Sequence, residues 1–136
     1  MRKILSLVVI ALTVVGFTAY AEFQTIRQDM IALERLAKTI RASVNDSSQN
    51  AQNAEYAGQI AQLFNATLNQ VPPIIAQFPT SQQNEAYSNY QQYIQYGINL
   101  SLQLQQALQN NDNATAAALI QQMFQLKEES HQTFNP

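Results

Sequence analysis

Along most of this chain, apolar side chains return every three or four residues through a background rich in glutamine and asparagine. That interval is the period of an α-helix that buries one stripe and leaves the rest in water. Gln and Asn make up about a quarter of all residues, a composition that by itself would suit an unstructured, low-complexity segment. The regular spacing argues for folded helices instead, and no run of alternating apolar and polar residues competes for a strand reading.

Four segments carry the pattern. The first has Phe23, Ile26, Met30, Leu33, Ala37, Ile40 and Val44 on one stripe, with Arg27, Glu34, Lys38 and Arg41 elsewhere on the wheel. Asn45-Asp46-Ser47-Ser48 follows, residues that compete for backbone hydrogen bonds and favour turns and helix caps. The second segment shows Ala57, Ile60, Phe64, Thr67 or Leu68, and Val71, and is expected to stop at Pro72-Pro73, because proline lacks the N–H donor and clashes with the preceding turn. The connection from Pro72 to Pro79 holds Ile74, Ile75 and Phe78, too apolar for a freely solvated loop, so it is expected to lie across one end of the helices. Thr80-x-x-Gln83 has the form of a capping box. The third segment carries Tyr87, Tyr90, Ile94, Gly97, Ser101, Leu104 and Leu108, widened by Tyr93, Ile98 and Leu100. After Asn110-Asn111-Asp112-Asn113, the fourth shows Ala117, Ile120, Phe124, Lys127, His131 and Phe134 on one line, beside Ala116, Leu119, Met123 and Leu126. The expected fold is all-α: an antiparallel up-down-up-down four-helix bundle joined by short turns and one longer connection.

The chain opens on Met1-Arg2-Lys3, an apolar run from Ile4 to Phe17 and the small-residue site Ala19-Tyr20-Ala21. This three-part pattern is that of a secretory signal, and the apolar stretch is short for a permanent membrane span. Residues 1–21 therefore read as a signal peptide and 22–136 as a single periplasmic domain with no permanent membrane anchor. Losing Arg2 and Lys3 leaves five basic and nine acidic residues, a net charge of −4. Only Lys127 among the basic residues lies beyond Arg41, so the clustered cations that phosphate binding needs are missing and nucleic acid is excluded as a partner. The sequence has no cysteine, which removes thiolate metal sites, thiol nucleophiles, disulfides and thioether-attached haem together.

His131 is the single histidine. An up-and-down bundle brings the start of the first helix and the end of the fourth to one end, on neighbouring helices. Met30 lies about two turns into the first segment and His131 about one turn before the end of the last, so the helical rise puts them at comparable heights, both on inward stripes. A thioether and an imidazole facing each other are the two axial donors that haem iron accepts, with flanking apolar residues enclosing the macrocycle. Two plainer readings stand beside this one. A methionine on an apolar stripe often only fills the core, and a histidine near a C-terminus is often solvated and helped by the helix dipole.

The spacing Met30-x-x-Leu33-x-x-x-Ala37-x-x-Ile40 resembles the first helix of the cytochrome b562 family. The stretch from Ala107-Leu108-Gln109-Asn110 through Ala116-Ala117-Ala118 to Glu129-Ser130-His131-Gln132-Thr133-Phe134 is similar to that family's last hairpin, and the Pro72-Pro73 pair also matches. The up-and-down topology is itself a property of that family. The resemblance implies one non-covalent haem b with Met30 and His131 as axial ligands. It places Tyr90 and Ile94 where the family packs aromatic residues on haem, keeping the aromatic character at the first and losing it at the second. It sets Lys127 where the family has an arginine, positioned to pair with a haem propionate. Leu33 and Phe124 complete the expected haem surroundings. The turn between the first two helices is longer than the family's, which leaves the register of the second helix open.

With both axial positions filled, iron offers no open site for substrate, so the expected role is electron carriage to an unidentified periplasmic redox partner and not enzyme catalysis. The alternative is a haem-free periplasmic helical bundle with a binding or chaperone-like role. Glu128-x-x-His131 has the spacing of a di-iron carboxylate motif, but such a site needs two of them and this chain has one histidine. No nucleophile elbow or phosphate loop is present. The Tyr- and Gln-rich surface fits a monomer or weak oligomer.

Overall fold

The computed structural model describes residues 25–134. The signal-peptide reading of residues 1–21, and Phe23 on the first stripe, lie outside the described residues. Four long helices account for most of what is described: α1 over residues 25–43, α2 over Asn50–Thr67, α3 over Gln83–Gln109 and α4 over Asn113–Phe134. Short 3-10 segments at Ser47–Gln49, Pro73–Gln77 and Thr80–Gln82 punctuate the connections, and no strand occurs among the described residues.

The expected stripes form the core. Ile26, Leu33, Ala37, Ile40 and Val44 are buried on or just after α1; Ala57, Ile60, Phe64 and Thr67 on α2; Tyr90, Ile94, Leu100, Leu104 and Leu108 on α3; Ala116, Leu119, Ile120, Met123 and Leu126 on α4. Burial of this apolar surface is what holds polar, Gln-rich helices together, since helix propensity alone stabilises such segments little.

Asp46 ends the first turn: its carboxylate accepts from the Ser48 N–H at 3.0 Å and the Ser48 hydroxyl at 2.6 Å, bonds that hold it below the usual carboxylate range. The α3–α4 corner is a Schellman turn. Asn111 takes a φ of 57°, a left-handed conformation that asparagine tolerates, while the Asp112 N–H donates to the Ala107 carbonyl and the Asn111 N–H to that of Leu108. Asp112 then caps α4 by accepting from the Thr115 N–H and hydroxyl. The two corners are tied together. Asn50 and Asn113 exchange side-chain hydrogen bonds at 3.0 and 2.8 Å, Asn50 also donates to Asn111, and Asn113 donates to the Val44 carbonyl.

Two local expectations are corrected. Helix α2 stops at Thr67, short of the prolines, and Val71 is 52% exposed. The reason lies across the interface. The buried Tyr90 hydroxyl donates to the Thr67 carbonyl at 2.9 Å and the Gln91 side-chain amide to that of Leu68 at 3.4 Å, satisfying acceptors that a helix end leaves open. The Thr80–Gln83 capping box does not form either. Thr80 begins a 3-10 turn, and the Gln83 amide donates back to the Phe78 carbonyl at 3.0 Å. The apolar connection packs as expected: Ile75 is buried, and Phe78 meets Phe134 edge-on with ring centroids 6.3 Å apart.

Among the described residues no helix is long and apolar enough to cross a membrane.

Candidate functional site

At the end away from the asparagine cluster, the four helices and the Pro72–Gln77 connection leave a cavity of about 700 Å³. Its walls are mostly apolar, and its size falls within the range of small-molecule and cofactor sites, roughly 300–1,000 Å³. Helix α1 contributes Met30, Leu33 and Ala37, and α4 contributes Phe124, Lys127 and His131. Tyr90, Tyr93 and Ile94 come from α3, Phe64 from α2, and Ile74 from the connection.

All seven residues singled out from the sequence, Met30, Leu33, Tyr90, Ile94, Phe124, Lys127 and His131, line this one cavity. Their depths differ. Leu33, Tyr90 and Ile94 are buried; Met30, Phe124 and Lys127 are half-buried; His131 is exposed. The expectation that His131 sits on a fully inward stripe is thus corrected: its imidazole borders the cavity and also meets solvent. The line through Ala117, Phe124 and His131 runs beside the buried face, which belongs to Ala116, Leu119, Ile120, Met123 and Leu126. Ala117 and Phe124 are half-buried, and His131, in the last turn of α4, is exposed.

The electrostatics of the wall centre on Glu34. Its carboxylate takes the Lys38 ammonium at 2.7 Å and the Lys127 ammonium at 2.9 Å, and these two, Lys38 foremost, hold its pKa down to about 2. Lys127, expected at a propionate, is thereby committed to a carboxylate of the protein. Arg27, also on the wall, is exposed and has no ion pair among the described residues. Arg41 lies outside the wall, its guanidinium 3.9 Å from the centroid of the Phe124 ring.

The aromatic part of the wall is interlocked. Phe134 meets Tyr90 and Tyr93 edge-on, with centroids 6.3 and 6.0 Å apart, and Tyr87 stacks on Tyr90 at 6.2 Å. Burial pushes the Tyr90 phenol up, so it stays a hydrogen-bond donor to Thr67. Sequence reasoning did not assign Phe64, Tyr93, Phe134 or Arg27 to the site. Tyr93 and Phe134 could have been found from the spacing, since both fall beside expected site residues on their own helices. Phe64 depended on the register of α2, and Arg27 on which edge of α1 borders the cavity.

Among the described residues no group of three or more His, Asp or Glu side chains is arranged to hold a metal ion. The soft or aromatic-nitrogen donors that face the cavity are the Met30 and Met123 thioethers and the His131 imidazole. No family model, curated protein or solved structure matches this chain.

Proposed function

We propose that this chain is an exported b-type haem protein resembling cytochrome b562, an electron carrier of the periplasm in which Met30 and His131 are the axial ligands of one non-covalent haem. The observation that carries the reading is the shared cavity: a thioether from α1 and an imidazole from α4 border the same apolar space. The residues present fit the group. Haem needs flat apolar surroundings, two axial donors from separate elements and a solvent-facing edge for its propionates. The aromatic and aliphatic walls, the Met/His pair and the exposed Arg27 at the rim supply these in turn.

The antiparallel up-down-up-down arrangement is part of the proposal. Its support is the order of side-chain contacts, whose numbers rise on one helix as they fall on the next. Ser43 bonds Asn53, Ala54 meets Gln105 and Thr67 meets Tyr90. Tyr93 meets Thr133, and Lys127 and Phe124 meet Glu34 and Arg41 respectively. In that arrangement Met30 lies four residues before Glu34 and His131 four residues after Lys127, each about 6 Å along the axis from the ion pair that joins the two helices.

Bound there, haem would supply a one-electron iron couple, its potential raised by thioether in place of a second imidazole. The protein's own residues would do the rest. Met30 and His131 would hold the iron through thioether and imidazole, a pairing suited to electron carriage. Leu33, Tyr90, Ile94 and Phe124 would exclude water from the flanks, while Arg27 would offer positive charge to the propionates and Lys127 stays on Glu34.

His131's exposure favours a second reading, a haem-free bundle whose cavity takes another apolar ligand. Titration of the purified protein with haemin separates the two. The proposal expects one haem per chain, and at least about tenfold weaker binding in both Met30→Ala and His131→Ala, a loss of about 1.4 kcal/mol or more. Binding unchanged in either variant contradicts it.

A further inference from the structure

Gly97 is buried in the interior of α3, where glycine costs about 1 kcal/mol relative to alanine. Its φ is not positive, so the backbone does not require glycine. What requires it is Phe64 of α2. A β-carbon at position 97 would lie 2.6 Å from Cζ of that ring and 2.8 Å from both Cε atoms, far inside carbon–carbon contact. The ring edge thus rests directly on the bare backbone of α3. Phe64 also belongs to the main hydrophobic core and borders the cavity.

We propose that Gly97 sets the ligand capacity of the cavity by seating the Phe64 ring, and so acts as a size-selecting position for the bound group. Carbon atoms settle at about 3.5–4.0 Å, so a methyl at position 97 must displace the ring by about 1 Å. On its other sides the ring meets a close-packed core that yields little. The cavity is the open side, and the ring is driven into it. With glycine, the space keeps its volume of about 700 Å³; with alanine, it is narrowed. The inference rests on the cavity being a ligand site, as the proposed function has it, but not on which atoms ligate iron.

The test uses purified wild-type protein, Gly97→Ala, Phe64→Leu and the double variant. Each is titrated with haemin, followed by absorption, and separately with the dye 8-anilinonaphthalene-1-sulfonate, followed by fluorescence; circular dichroism reports folding. Gly97→Ala is expected to weaken each probe that binds the wild type by about tenfold or more, and Phe64→Leu/Gly97→Ala to return it to within about threefold of wild type. Equal binding by wild type and Gly97→Ala, or a double variant as weak as the single one, overturns the inference. So does failure of both probes to bind the wild type. If Gly97→Ala does not fold, the double variant is compared with wild type directly: folding and binding recovered support the seat, and recovery of neither overturns it. A wild type that takes the dye but not haemin, with the same dependence on positions 64 and 97, supports the role of Gly97 while contradicting the haem proposal.

Discussion

Glu34 is the most heavily engaged carboxylate on the cavity wall, bridging Lys38 on its own helix and Lys127 on α4. Its pKa is lowered from 4.5 to about 2, so it binds a proton less readily folded than unfolded. The stability it contributes is complete above the unfolded value and is lost as the pH falls from about 4.5 towards about 2. The side chain is a third exposed, so solvent screening limits the effect to about 1 kcal/mol or less. Urea unfolding of wild type and Glu34→Gln at a series of acidic pH values should show the difference between them shrinking across that window; a constant difference contradicts the bridge. That Met30, Leu33, Tyr90, Ile94, Phe124 and Lys127 would border one space was legible, because position on a stripe carries over directly into position on a wall. The depth of His131 was not legible. Stripe position fixes which side of a helix a residue lies on, but not how much of it the neighbouring elements cover in the helix's last turn.

The helices themselves were legible from periodicity, and their ends only in part. Asn45-Asp46 and Asn110–Asn113 mark real corners because their side chains bond the local backbone. The Thr80–Gln83 box and the end of α2 misread because distant groups compete there: Gln83 reaches Phe78, and Tyr90 takes the Thr67 carbonyl from another helix. Asn113 shows the same dependence on partners remote in sequence. It holds the Val44 carbonyl at 2.6 Å and pairs with the buried Asn50, joining the α1–α2 connection to the start of α4. Asn113→Ala takes the donor from the Asn50 Oδ1 and from the Val44 carbonyl and should cost about 1–3 kcal/mol in chemical denaturation. A change within a few tenths of a kcal/mol contradicts a structural role for the pair.

The molecule divides along its length. One end is closed by a network of asparagines and a Schellman turn; the other holds open a cavity under a short apolar strap. Packing in the middle, around Ile40, Ile60, Leu104 and Ile120, keeps the two ends in register. A ligand that fills the open end and binds only the folded chain would shift the unfolding equilibrium in its favour. That division was foreseeable only in outline, since a cavity is made by what four helices fail to fill and no single segment encodes it. Near-infrared absorption of the oxidised protein after haemin addition asks most directly whether Met30 and His131 grip the same iron. The expected result is a methionine-to-iron charge-transfer band that disappears in Met30→Ala and is absent from His131→Ala. A haem-loaded wild type without that band, or a band that survives replacement of Met30, would contradict it.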